Sequence, residues 1–234
     1  MTLPVLHLDN HLLVVNKPAG MLAQADITGD DDVVSLGKAF LKERFDKPGN
    51  VFLGLVHRLD RPTSGVMVLA RTSKSAARLS DQFRRRMPGK HYIAMVEGTL
   101  RDVEGRFEDH LVKQGRHVHV VDASAAGARF AALTYRVIGG DEWKGKRVSL
   151  VDVRLETGRA HQIRVQFASR GMPLVGDMRY GAETEFDGRN LALHACALTI
   201  EHPTRREEMT FKAPPTDDWG EAFARDIARA MSRI

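Results

Sequence analysis

The 234-residue chain is 43% apolar and 28% charged, which is typical of a globular protein and excludes the disordered and fibrous classes. Cys196 is the only cysteine, so internal disulfides and cysteine zinc clusters are excluded, and a reducing, cytoplasmic setting is favoured. The 35 basic residues outnumber the 30 acidic ones, and the resulting net charge of +5 suits a polyanionic partner. We expect no membrane partner, because no apolar stretch approaches the ~20 residues of a spanning helix and no signal peptide is visible.

Short apolar segments of strand length and strand composition recur along the chain. They predict strands at residues 3–8, 12–15, 52–56, 66–70, 92–96, 117–121, 131–138, 148–155, 191–200 and 208–212. The alternation slips phase around Leu150 and Val151, which indicates a bulge there.

Four segments have helical spacing instead. Helices are predicted after a cap at Asp32, after a cap at Ser73, from Arg159 to Arg170 before Gly171, and after Asp217. Many strands with a few scattered helices, and no regular strand–helix alternation, predict one α+β domain over residues 1–234. Its core is expected to be a mixed, mainly antiparallel sheet flanked by the helices.

Three weaker signals favour ordinary structure over function. Residues 140–146 match the phosphate-loop spacing GxxxxGK, but Arg147 stands where a hydroxyl is needed, so a hairpin turn is favoured. His117 and His119 can share one face of a strand, yet no third metal ligand of suitable spacing accompanies them. Cys196 lies in an apolar strand and is interpreted as a buried packing residue.

The segment HRLDRPTSG at residues 57–65 joins two predicted strands and is dense in reactive side chains. A surface ion pair between Asp60 and a neighbouring arginine is one reading, and a catalytic carboxylate is the other. A hydrolase triad of His57, Asp60 and Ser64 is disfavoured, because three members within one short loop rarely reach the required geometry.

A second polar segment, TGRAHQIR at residues 157–164, lies on the predicted third helix. Arg164 falls where some polar side chains must face inward, and an inward guanidinium needs a carboxylate partner. A structural ion pair, a phosphate contact and a role beside a catalytic acid all remain open for it.

With both segments in view, the sequence closely resembles the RluA-type pseudouridine synthases. The matching segments recur in order between about residues 12 and 213, and they are NKPAG (16–20), HRLDRPTSGVMVLA (57–70), KHY (90–92), TGRAHQIR (157–164) and LHA (193–195). The pair HRLDxxTSG and TGRxHQIR is highly specific. The resemblance implies the pseudouridine synthase fold and the isomerisation of uridine within RNA, with no cofactor and no metal.

The resemblance also implies the site residues. Asp60 matches the essential carboxylate, acting on the ribose either as a nucleophile or as the base of an elimination to a glycal. Arg164 matches the basic residue that pairs with this aspartate and keeps it charged. Tyr92 matches the tyrosine that stacks on the target base.

RNA binding is expected to use residues around this centre. Arg58 is expected to enter the RNA near the extruded nucleotide, and phosphate or loop contacts are expected from His57, Arg61, Lys17, Arg84, Arg85 and Arg86. Gln166 departs from the histidine that many relatives carry, with no expected effect on catalysis. Because the sequence opens directly on the first catalytic strand, we expect the compact subgroup without a preceding RNA-binding domain, and a monomer whose partner is ribosomal or transfer RNA. An RNA-binding protein without turnover and an Asp60-dependent nucleoside or glycoside hydrolase are the alternatives.

Overall fold

The computed structural model describes residues 3–234 and divides them into two compact units. The first unit comprises the described residues up to Gly89 together with Ala195–Ala213, and the second comprises Lys90–His194 and Pro214–Ile234. The described strands are β1 (Val5–Leu8), β2 (Leu12–Lys17), β3 (Gly54–Leu55), β4 (Ser64–Ala70), β5 (Gly89–Glu97), β6 (Glu104–Gln114), β7 (His117–Val121), β8 (Arg129–Trp143), β9 (Lys146–Leu155), β10 (Leu193–Glu201) and β11 (Glu208–Lys212). The α-helices are α1 (Val33–Arg44), α2 (Ser73–Arg84), α3 (Gln162–Ala168) and α4 (Glu221–Ser232).

In the first unit, β2 pairs antiparallel with β1 on one side and with β4 on the other. β10 follows β4 in the strand order and pairs with β11. Alternate apolar residues of β2 and β4 pack against Leu79 of α2, which is itself fully buried. The loop between β3 and β4 is therefore attached to β4, a strand that is held in place by this apolar packing.

The helix caps of the first unit follow simple hydrogen-bonding rules. Asp32 accepts the backbone N–H groups of Val34 and Ser35 at 2.9 and 3.0 Å, which confirms the predicted start of α1. The predicted cap at Ser73 was wrong by one residue, because Thr72 accepts the N–H of Ser75 and Ser73 is already helical.

In the second unit, the strand order is β5-β9-β8-β6-β7, and every neighbouring pair is antiparallel. One face packs Ala94, Val96, Leu133 and Val153 against Phe167 of α3 to form the core. A bulge is present opposite Leu150 and Val151 of β9, where the sequence predicted one. The additional residue, however, lies in β8, between Val137 and Gly139.

Two elements of the second unit differ from the sequence-based expectation. β6 was not predicted, because its outward positions are charged or polar and only Phe107 and Leu111 of its sequence are buried. The third helix is shorter than expected and begins at Gln162, because His161 has a left-handed φ of 51°. The α+β, mainly antiparallel fold class is confirmed, whereas the expectation of a single domain stays a prediction. Within residues 3–234, no helix has the length and apolar character needed to span a membrane.

Candidate active site

The segment at residues 57–65 is fastened to its own unit at both ends. The Val68 N–H donates to His57 Nε2 at 3.0 Å, and the imidazole stacks on Phe83 at 4.5 Å between ring centres. At the other end, a Cβ on Gly65 would lie 2.3 Å from the Ala195 carbonyl oxygen, so only glycine fits at this φ of +120°. His57 therefore holds the loop in place through its ring.

Lys17 lies beneath this loop and is fully buried. Its ammonium donates to the carbonyl oxygens of Pro18, Met21 and Arg61 at 2.9, 2.8 and 3.0 Å. Burial lowers the pKa of Lys17 to about 7, and the negative charge of Asp60 partly offsets that decrease. The phosphate contact suggested for Lys17 does not agree with this placement, because the side chain has no exposed surface and its donors serve the backbone.

Asp60 is half-buried at the tip of the segment, between buried Leu59 and buried Thr63. Its carbonyl oxygen accepts the Thr63 N–H at 3.0 Å, which closes a turn around Arg61 and Pro62. Arg61 donates Nε to the Gly20 carbonyl at 3.0 Å and Nη2 to Asp30 at 2.7 Å. The carboxylate is thus carried on a loop braced by two neighbouring segments, with the buried amine of Lys17 beneath it.

The remaining candidate RNA-binding residues of this unit are solvent-exposed. Arg58 is exposed in the loop, directly before Leu59. Arg84, Arg85 and Arg86 are exposed at the end of α2, where Asp81 forms ion pairs with the first two. Their exposure is compatible with contacts to RNA phosphates.

Tyr92 lies on β5 of the second unit, opposite Val153 of β9. The side chain is half-buried and packs against the apolar core that contains Phe167. One part of the ring is therefore fixed by the core.

Arg164 is buried on α3, and its partner in this unit is Asp177. Nε and Nη2 donate to the two carboxylate oxygens at 2.6 and 2.7 Å, with the two side chains only 5% and 1% exposed. This bidentate geometry is the strongest form of a guanidinium–carboxylate contact and fixes the plane of the guanidinium. Asp177 uses only part of the guanidinium's donor set.

Tyr180 extends this network. Its ring lies 5.0 Å from the Arg164 guanidinium carbon, and its hydroxyl accepts the Val118 N–H at 3.0 Å. The hydroxyl is also 2.7 Å from His161 Nδ1, and burial raises the pKa of Tyr180, which keeps it protonated. No role was predicted for Asp177 or Tyr180 from the sequence, although the need of Arg164 for a carboxylate was a usable signal.

The family model for RNA pseudouridylate synthase matches residues 11–169, a range that includes Asp60, Tyr92 and Arg164. The chain belongs to the RNA pseudouridylate synthase family. It is therefore related to isomerases, and the resemblance seen in the sequence is confirmed.

Individual relatives agree with this assignment. The chain is 35% identical to the uncharacterised RNA pseudouridine synthase YhcT of Bacillus subtilis, over 92% of this chain and 70% of the relative. It is 33% identical to the dual-specificity RNA pseudouridine synthase RluA of Escherichia coli strain K12, over 91% and 93%. Among solved structures, human RNA pseudouridylate synthase domain containing 4 has a TM-score of 0.75 at 23% identity, covering 97% of this chain and 92% of the other, which supports the fold.

Proposed function

We propose that this RNA pseudouridine synthase converts specific uridines of ribosomal or transfer RNA to pseudouridine, with Asp60 as the essential carboxylate. The observation that carries the proposal is the family match over residues 11–169, which includes the braced Asp60 loop and buried Arg164. The similarity to a dual-specificity RNA pseudouridine synthase over nearly its full length supports RNA as the substrate.

In the proposed reaction, the bond between uracil N1 and ribose C1′ breaks and a bond between C5 and C1′ forms. The C5 proton is lost and N1 gains one, so the RNA keeps its mass. Asp60 acts at the sugar, either by attacking C1′ or by removing the C2′ proton to form a glycal. Tyr92, whose half-buried ring packs on one side against the core, stacks on the uracil.

Arg164 is proposed to favour the ionised form of Asp60. An aspartate covered by an extruded base loses hydration, which disfavours its charge, and a fixed guanidinium nearby opposes that effect. Asp177 would serve this role indirectly, because its bidentate bonds orient Arg164 before substrate binds.

The target uridine must leave its stack to reach Asp60, at a cost of a few kcal/mol. We assign exposed Arg58 to the space near the extruded nucleotide. Phosphate contacts are assigned to the exposed Arg84, Arg85 and Arg86, whereas His57 and Arg61 contribute mainly by bracing the loop.

The decisive experiment incubates transfer RNA and ribosomal RNA transcripts with wild type, Asp60→Asn and Asp46→Asn. Asp46 is exposed and lies outside the 57–65 loop, so it controls for the loss of one carboxylate. Nucleosides are then separated by liquid chromatography, because uridine and pseudouridine have equal mass, and are quantified by mass spectrometry. We expect pseudouridine from wild type and Asp46→Asn, and none above background from Asp60→Asn.

Each alternative has a distinct signature in the same assay. Release of free uracil with loss of RNA mass would indicate a hydrolase, and tight RNA binding by wild type without product would indicate a binding protein. Appreciable product from Asp60→Asn would refute the role of the aspartate.

The proposal also places the enzyme in the cytoplasm as a monomer that acts on RNA. Light scattering of the purified protein checks the mass against 26.1 kDa per chain. Fractionation of cells checks the compartment.

A further inference from the structure

An open sheet face in the second unit carries an aromatic cluster that the proposed chemistry does not use. His110 of β6 lies opposite Phe130 of β8, while His117 and His119 lie on β7 opposite Gln114 and Val112 of β6. Directly paired residues of antiparallel strands project to the same face, so these four rings share one surface. We call His110, His117, His119 and Phe130 the histidine platform.

The rings of the platform lie close enough to act together. The centres of His110 and Phe130 are 5.7 Å apart in an edge-on arrangement, and those of His117 and His119 are 6.2 Å apart at an interplanar angle of 28°. His117 and His119 are exposed, and Phe130 retains 36% of its surface in water. The platform therefore offers accessible ring faces to an external planar group.

Folding of these strands does not require the platform. Leu111, Val118 and Ala131 occupy the opposite face of the same strands and pack against Val165 of α3, each at 3% exposure or less. The apolar burial that stabilises this part of the sheet is thus supplied by that other face.

The charge around the platform identifies the occupant. Arg116 lies in the turn between β6 and β7, exposed Asp122 interacts with His110, and Lys113 pairs with Val118 and so projects to the opposite face. Arg179 donates to the Arg116 carbonyl at 3.3 Å, and Arg159 donates to the Phe130 carbonyl at 3.0 Å, which brings two more cations to the surface. Rings surrounded by cations fit a strand that has both bases and phosphates.

The adjoining part of the same face is different. It forms a cavity of about 470 Å³ in which Arg106 pairs with Glu156 at 2.7 Å and Arg136 pairs with Glu104 at 3.2 Å. Because carboxylates already neutralise these arginines, the cavity is a weaker candidate for phosphate contacts than the platform. Among residues 3–234 there is also no group of three potential metal ligands, so the histidines have no metal-site geometry.

We propose that the histidine platform binds unpaired nucleotides of the RNA substrate by stacking, outside the catalytic site. This inference rests on the proposed function, since it describes how the same RNA is held. The bases would stack on the imidazole and phenyl rings, and Arg116 would contact a phosphate.

The test measures the affinity of full-length protein for two labelled RNAs, a hairpin with a long unpaired loop and a continuous duplex, by fluorescence anisotropy. His117→Ala combined with His119→Ala should weaken binding of the loop RNA about tenfold or more and change duplex binding less than about twofold. Arg116→Ala should lower the salt dependence by about one phosphate contact, whereas the histidine variant should leave the salt dependence unchanged. Val120→Ala, on the opposite face of β7, is the matched control and should bind like wild type.

A gain-of-contact variant keeps the test valid if alanine variants fold poorly. His119→Trp should bind the loop RNA at least as tightly as wild type, and its added indole fluorescence should be quenched by loop RNA and not by duplex. The platform proposal would be overturned if the double histidine variant binds the loop RNA as tightly as wild type, or if it loses equal affinity for the duplex. It would also be overturned if loop RNA does not quench the indole fluorescence of His119→Trp. Pseudouridine formation by wild type is assayed in parallel. If the enzyme is active but the histidine variants bind RNA like wild type, the platform proposal fails while the proposed function stands.

Discussion

Removing the carboxylate of Asp177 should destabilise the protein strongly, because Arg164 would then be a buried cation without this partner. The two side chains are 5% and 1% exposed and share two hydrogen bonds of 2.6 and 2.7 Å. Breaking a buried ion pair from one side typically costs about 3–5 kcal/mol. We expect Asp177→Asn to lower the free energy of unfolding by about 3 kcal/mol, near the lower end of this range, because the amide can still accept one hydrogen bond. At about 2–4 °C per kcal/mol for a chain of this size, the melting temperature should fall by roughly 10 °C.

The measurement is a double-mutant cycle in urea at pH 7, followed by far-ultraviolet circular dichroism. Arg164→Met should cost a similar amount, since Asp177 then loses its counterion. The double variant should be no less stable than the worse single variant, which corresponds to a coupling energy of about 3 kcal/mol or more. Additive losses, or a cost below about 1 kcal/mol for Asp177→Asn, would refute the importance of the pair.

Activity separates the two roles of Arg164. If Arg164→Met is inactive only because an orphaned Asp177 distorts the fold, the double variant should recover pseudouridine formation. We expect it to remain severely impaired, because the guanidinium proposed to act beside Asp60 is still missing. Recovery to near wild-type turnover would limit Arg164 to a structural role.

Two further predictions concern the first unit. Because burial lowers the pKa of Lys17 to about 7 from 10.5, the unfolded chain holds more protons between these values, so the free energy of unfolding should rise from pH 7 to pH 10. Lys17→Met should lack this rise in chemical denaturation, and parallel pH profiles would contradict the assignment. Gly65→Ala should prevent stable folding or cost more than about 4 kcal/mol, since its Cβ would lie 2.3 Å from the Ala195 oxygen. Gly188→Ala, at a φ of +82° with open space around it, should cost only about 1 kcal/mol in thermal denaturation, and equal losses at both positions would exclude the steric explanation.

Local patterns predicted many elements of the fold well. Strands 117–121 and 208–212 have the predicted bounds, and Asp32 caps α1 as expected. In these segments the alternation or the cap is encoded within a few neighbouring residues. β6 was missed for the opposite reason, because a strand with a polar outer face has too few apolar residues to stand out locally.

The bulge illustrates a finer limit of sequence patterns. The phase slip at Leu150 and Val151 is real, but the additional residue lies between Val137 and Gly139 on the neighbouring strand. Alternation reports which residues face the core. It does not report which of two paired strands accommodates the mismatch, since that depends on the register between them.

The sequence by itself determined the family and the reaction class, because HRLD and TGRAHQIR are contiguous segments whose spacing is specific. Only the tertiary structure decided how those residues are supported. The burial of Lys17 beneath the Asp60 loop, the pairing of Arg164 with Asp177 and the grouping of four rings on one sheet face all join residues distant in sequence. Burial and pairing of this kind are set by long-range packing, and no local pattern of residues encodes them.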